Sequence, residues 1–332
     1  MTEPPASTPE RATPGPANTP GPADHPAPTR RGVHNRLMQL EPVHDNGFRP
    51  ERTLRVRVEF VRQLRRRRTQ LTVLVLLVLP VIIAFAFQIS SDTGSTGASP
   101  QGGGSGRAGA PALVNLATTG ATNFALFTEF AAAGFLLVVI VALFCGDTVA
   151  SEASWSSLRY LLAIPVPRSR LLRQKLIVAL SLSFGVNLLL PAWAYLVGGV
   201  FFGWAPGQSP LGGTFTTGAA LQRLLIVVCY ASVQSLLVAA LAFLLSVLTD
   251  APLGAVGGAT MLVVVSNILD SITSLDPYRR FLPTHFQYSW LDALGQSIVW
   301  DDMMRGTGLV LVYSAVFFAL AWWRFQEKDI LS

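Results

Sequence analysis

Six long apolar runs, at about 71–89, 124–145, 176–203, 223–248, 252–270 and 307–324, limit what this chain can become. Each is close to or above the ~20 residues that an α-helix needs to cross the hydrocarbon core of a bilayer. In that solvent a backbone must satisfy its own polar groups, so runs of this length predict helices. Composition agrees: 51% of the 332 residues are hydrophobic and 13% are charged, where a soluble domain carries about 25% charged residues. The expected fold class is an all-α integral membrane protein with six transmembrane helices. Pro80 and Pro191 fall inside the first and third runs and predict kinks there.

The formal net charge is +6, and eight of the basic residues lie between Arg52 and Arg68, directly ahead of the first apolar run. A basic cluster in that place points to lipid and to topology, not to nucleic acid. At 100° per residue, Leu54, Val58, Val61 and Leu64 share one face with Phe60 beside them, while Arg52, Arg55, Arg62 and Arg66 gather opposite. Residues 51–70 therefore predict an amphipathic helix lying in the membrane interface. With the N-terminus inside, fifteen Lys and Arg residues fall on the inner side and five on the outer. The positive-inside rule then puts both termini in the cytoplasm of a multi-pass cytoplasmic-membrane protein.

Residues 1–50 are rich in Pro and Ala and bury too little apolar surface to offset their ordering entropy, which predicts a disordered cytoplasmic tail. Residues 71–332 form the six-span domain. The tripeptide Ala84–Ala86 resembles a signal cleavage site, but the apolar run is long and begins some 70 residues in, so it is read as a retained span. The Gly/Ser-rich segment after it predicts a flexible external linker. Within 277–305, Phe286, Trp290, Leu294 and Ile298 stand at helical spacing and predict a short external helix dipping into the outer leaflet between spans five and six. The turn at Thr249–Asp250 is tight, so spans four and five should be neighbours.

Catalytic signatures are sparse. Cys145 and Cys229 both sit in apolar runs and are expected as small buried hydrophobes. The four histidines form no ligand cluster, and no metal site is expected. An intramembrane serine protease needs a Ser–His pair at membrane depth, yet the one histidine beyond the tail, His285, belongs to an outer loop. Among polar residues in the spans, Glu129 stands out, because a carboxylate at a helix centre costs about 2.5–3.5 kcal/mol on insertion scales. It is expected either to face the interface or bond a neighbouring span, or to border a translocation path with Asn187 and Gln234.

One stretch does not fit a plain hairpin between spans. From Ala150 to Lys175 the chain reads ASEASWSSLRYLLAIPVPRSRLLRQK. Trp155, Leu158 and Leu162 fall on one helical face, with Leu161 at its margin and Arg159 beside it. Pro165 and Pro167 stop that helix by removing backbone donors and clashing with the preceding turn. The prediction is a short cytoplasmic surface helix, then a rigid corner, then a basic lead into the third span. Such a helix can press on a soluble partner or lie on headgroups.

This stretch resembles the first cytoplasmic loop of type-2 ABC exporter permeases. Glu152, Leu158, Leu161, Leu162, Pro165, Arg168 and Lys175 occupy the places of that family's glutamate, leucines, proline, arginine and lysine, while Ser156 and Ser157 replace its usual Gly-Thr. The ending FQEKDILS is also similar, and the resemblance covers about 60–332. It implies a permease that pairs with a second copy or a related permease and docks on separate ATPase subunits. Its coupling helix would lie within 146–175, using Glu152, Trp155, Leu158, Arg159, Leu161, Leu162, Pro165 and Arg168. It implies no cofactor in this chain, with ATP and Mg held by the partner. A P-loop needs lysine in G-x-x-x-x-G-K-[ST], and neither Lys175 nor Lys328 has that setting. The expected function is thus the membrane subunit of an ATP-driven exporter working by alternating access. A channel or structural membrane subunit with no ATPase is the alternative, and an intramembrane enzyme a more distant one.

Overall fold

A computed structural model describes residues 56–92, 110–154, 168–210 and 212–327. The proposed tail (1–50) and most of the external linker lie outside the described residues. What is described is helical, with a single isolated bridge between Gln208 and Thr214 and no strand. The α-helices in chain order are α1 (Val56–Leu64), α2 (Arg67–Asp92), α3 (Ala110–Leu116), α4 (Ala121–Ala133), α5 (Leu136–Ser154), α6 (Arg168–Phe202), α7 (Thr217–Leu248), α8 (Pro252–Asp270) and α9 (Asp301–Glu327).

Five of these helices are long and apolar enough to cross a membrane, and α4 with α5 makes a sixth if the bent pair is one span. Their outer faces remain apolar: Leu71 on α2, Leu253 and Met261 on α8 and Val312 on α9 are all exposed. A soluble protein does not leave such faces uncovered on several helices at once, whereas lipid tails solvate them. The chain is an all-α, multi-pass membrane protein.

Helix α7 is the hub. It packs against α5, α8 and α9, and α4 packs chiefly on α6. The α7–α8 contact follows from the tight turn at Thr249–Asp250, as the sequence predicts. Phe124, Val227, Trp290 and Leu294 anchor one cluster, called outer after the expected topology, and Val141, Phe243, Val247 and Phe325 a second, called inner. Helix α2 lies at the edge, tied to α6 where Trp193 Nε1 donates to the Leu77 carbonyl at 2.9 Å.

The second span departs from expectation. The run 124–145 reads as one helix, but the chain breaks at Gly134–Phe135 and turns by 58° between α4 and α5. The break has a physical cause. The side-chain amide of Gln287 donates to the Ala133 carbonyl at 2.9 Å, and so satisfies an acceptor that a continuous helix would have used. At Gly134 a Cβ would stand 3.0 Å from the Tyr288 hydroxyl, so glycine lets the outer segment approach. Helices α2 and α6, by contrast, continue through Pro80 and Pro191.

The external segment also differs from the predicted helix. It folds as three 3-10 turns, Thr273–Leu275, Tyr278–Phe281 and Ser289–Leu294. Phe286, Trp290 and Leu294 are buried in the outer cluster with Ile298 against it, so their common face is real, but it packs on protein. Side chains from elsewhere collect the carbonyls of this segment: Tyr230 Oη donates to Phe286 O at 2.6 Å and Ser209 Oγ to Leu294 O at 2.6 Å. Those bonds replace the i→i+4 ladder that an α-helix would need.

Candidate functional site

At the end of the bundle where α5 stops and α6 starts, α1 is a short helix with none of its residues fully buried. Val58, Val61 and Leu64 are exposed, while Phe60 packs against the cluster around Leu76 and Leu137. Two residues after α1 ends, Arg66 Nη1 reaches Asp147 Oδ2 at 3.4 Å, and Arg68 Nη1 reaches Asp147 Oδ1 at 2.9 Å. Asp147 belongs to the last turns of α5. Lys175 of α6, 5% exposed, donates to the Thr148 carbonyl at 3.4 Å. Ser246 of α7 accepts from the backbone N–H groups of Val149 and Ala150, both at 3.0 Å. The end of α5 that precedes residues 155–167 is therefore fastened by polar contacts to the α1–α2 junction, to α7 and to the start of α6.

Of the residues assigned to ATPase coupling, Trp155, Leu158, Arg159, Leu161, Leu162 and Pro165 lie outside the described residues. Glu152 is in the final turn of α5 and Arg168 opens α6; the placement of their side chains is likewise outside the description.

Asn187 and Gln234 come together. Both line one cavity between α5, α6, α7, α8 and the outer segment, with Ser235, Thr284, Gln287 and Trp290 on its walls. Asn187 Nδ2 donates to Ser183 O at 2.8 Å and to Ser235 Oγ at 3.3 Å. Gln234 Nε2 and Gln287 Oε1 are buried with no hydrogen-bond partner. Gly306 of α9 makes room here, since a Cβ would fall 2.5 Å from both Phe286 Cβ and Tyr230 Oη.

Glu129 does not join them. It is not among the residues lining that cavity. Its side chain is fully buried in α4, and neither carboxylate oxygen has a hydrogen-bond partner among the described residues. The expected bond to a neighbouring span is not formed, and the side chain does not face the interface. An unpartnered polar group in that setting costs about 1–3 kcal/mol or more. Glu129→Met is expected to raise the thermal unfolding temperature of the purified chain, because it keeps much of the volume and removes the orphan. An unfolding temperature several degrees below wild type would show a partner that holds α4 in place.

The cysteines also separate. Cys145 is buried as expected, 3.6 Å from Ser183 Oγ, but Cys229 is exposed on α7. Helix faces in lipid need no polar side, so a small apolar residue marks neither the core nor the outer face.

Sequence reasoning missed Arg223, which it counted only as an outer-side charge. Its guanidinium, in the second turn of α7 and 8% exposed, donates to the carbonyls of Ala293, Gly295 and Gln296 and lies 4.0 Å over the Phe215 ring. The arginine thereby holds the C-terminal end of the last 3-10 turn against the spans. The signal available in sequence was a charge at the very start of an apolar run. Among the described residues, no three His, Cys, Asp or Glu side chains stand close enough to hold a metal ion.

No curated protein matches this chain. Residues 113–331, which run from α3 through the last span and make up about two thirds of the chain, match the model of a family described as protein of unknown function, DUF2705. With the bent second span, the cavity and the arginine-held outer segment all inside that match, the chain belongs to the DUF2705 family.

Proposed function

We propose that this chain is the permease subunit of an ATP-driven exporter of the type-2 ABC class. In this reading it has six spans with α4 and α5 counted as one, and both termini are cytoplasmic. Helix α1 lies in the inner interface, and the 155–167 loop carries the coupling helix. Two permeases pair, and separate ATPase subunits bind ATP and Mg. Binding closes the ATPase dimer, and the coupling helices rock the spans between inward and outward access.

The observation that carries this reading is the mounting of the loop. It joins α5 to α6, whose ends are fastened by the Arg66 and Arg68 contacts to Asp147 and by Lys175 to Thr148. A push on the loop is then delivered to the core helices instead of being absorbed by a slack hairpin. The amphipathic helix ahead of the spans and the short helical turns between the last two add support. The test is co-purification from native membranes in mild detergent. An ABC ATPase recovered in a fixed ratio with the permease is the expected result, and its absence under conditions that preserve other such complexes counts against the assignment.

Topology is checked separately. After replacement of Cys145 and Cys229, a cysteine at Ser99 is expected to react with an impermeant thiol reagent added outside intact cells. One at Ser169, in the first turn of α6, is expected to react only after the cells are opened. The reverse pattern would overturn the orientation.

A further inference from the structure

The cavity that brings Asn187 and Gln234 together has a distinctive chemistry. None of its lining residues is ionisable. Its core has a volume of about 50 Å³ and opens at a mouth. A core of that size admits a few waters, or the polar end group of a longer molecule. The rest of the wall is chiefly leucine, valine and alanine.

We infer that this cavity binds an uncharged amphiphile. A hydroxyl or carboxamide end group sits among Asn187, Gln234 and Ser235, and the apolar remainder lies along the aliphatic wall towards the mouth. Asn187 commits its amide hydrogens to Ser183 O and Ser235 Oγ, so its carbonyl oxygen is what it offers a ligand. Gln234 is 8% exposed and its amide nitrogen is unpartnered, so a ligand that engages this carboxamide supplies a bond the protein does not make for itself. A primary carboxamide has a donor end and an acceptor end, which suits hydroxyl and amide groups alike. An ionised end group would be desolvated without a counter-charge, because Glu129 is not on the wall. The ligand class rests on the cavity alone; that such a molecule is the exported cargo rests on the permease reading.

The experiment uses the purified full chain and three photoreactive probes. All carry the same diazirine-bearing octyl chain, ending in a hydroxyl, an ammonium or a carboxylate. Labelled peptides are located by mass spectrometry. The alcohol is expected to label the 133–141 and 283–290 segments at least about fivefold more than either charged probe, a difference worth roughly one hydrogen bond. In Gln234→Leu that labelling should fall by a similar factor, while labelling of the exposed face of α8 stays constant. The substitution keeps the volume and removes an orphan amide, so the variant should unfold at or above the wild-type temperature. If it unfolds lower, Ser235→Ala provides the same comparison. Equal labelling by a charged probe, or unchanged labelling in a folded variant, overturns the inference. Neither outcome depends on an ATPase, so an empty co-purification defeats the permease reading without touching this one.

Discussion

On the proposed permease reading, Leu158→Asp combined with Leu162→Asp is expected to leave the chain inserted in the membrane and to strip it of its ATPase. The two leucines share a helical face with Trp155 in the sequence, and the proposed docking mode seats that face in a cleft of the partner. Burying an unpaired carboxylate at such a contact costs several kcal/mol, and about 1.4 kcal/mol corresponds to tenfold in affinity. Two carboxylates are therefore expected to weaken docking by a factor on the order of 10³ or more. If the two leucines serve docking alone, membrane yield and thermal unfolding of the chain without its partner should hold. The measurement is ATPase recovery in the co-purification, together with ATP turnover of the reconstituted complex. Wild-type recovery and wild-type turnover in the double variant would remove the coupling role from this face. A channel or structural subunit would show no dependence on these leucines.

The second large effect is expected at the outer surface. Arg223→Leu removes the guanidinium that serves the carbonyls of Ala293, Gly295 and Gln296 and lies over Phe215. Each buried carbonyl left without a donor costs about 1–3 kcal/mol, and the cation–π contact adds on the order of 1 kcal/mol. Summed over three carbonyls and the ring contact, the loss is at least about 4 kcal/mol, in the range that marks a broken buried network. Thermal unfolding should drop by several degrees, and the 271–300 segment of the purified chain should become sensitive to added protease. Arg223→Lys should fall between the two, since a single ammonium cannot reproduce the planar fork. Wild-type unfolding and protection in Arg223→Leu would show that Tyr230 and Ser209 hold the segment without it.

The spans were legible because membrane solvation acts on composition, and composition is local. The same holds for the turn at Thr249–Asp250; ahead of α2 the described helix covers only Val56–Leu64 of the expected 51–70. The bend at Gly134 was not legible, because a glycine in an apolar run looks the same whether the helix continues or breaks. Here the outcome is decided by Gln287 and Tyr288, which are more than 150 residues away in sequence. The outer segment teaches a similar lesson. The spacing of Phe286, Trp290 and Leu294 disclosed a shared buried face, but not the backbone that presents it. That backbone depends on donors from Ser209, Arg223 and Tyr230. The polar residues of the spans were legible as unusual, but their grouping was not: Asn187 and Gln234 share a cavity while Glu129 is sealed elsewhere.

The bend between α4 and α5 gives α5 the mechanics of a crank. The helix is 19 residues long, or about 28 Å at 1.5 Å per residue. Its pivot beside Gly134 is held by the Gln287 bond to the Ala133 carbonyl, and its other end, fastened at Asp147 and Thr148, leads into residue 155. A rotation of only about 10° about that pivot would sweep the loop end through roughly 5 Å, one helical pitch. The outer end would hardly translate at all. Motion large enough to reseat a soluble partner on one side of the membrane would thus reach the other side as a small twist, delivered where Gln287 borders the cavity.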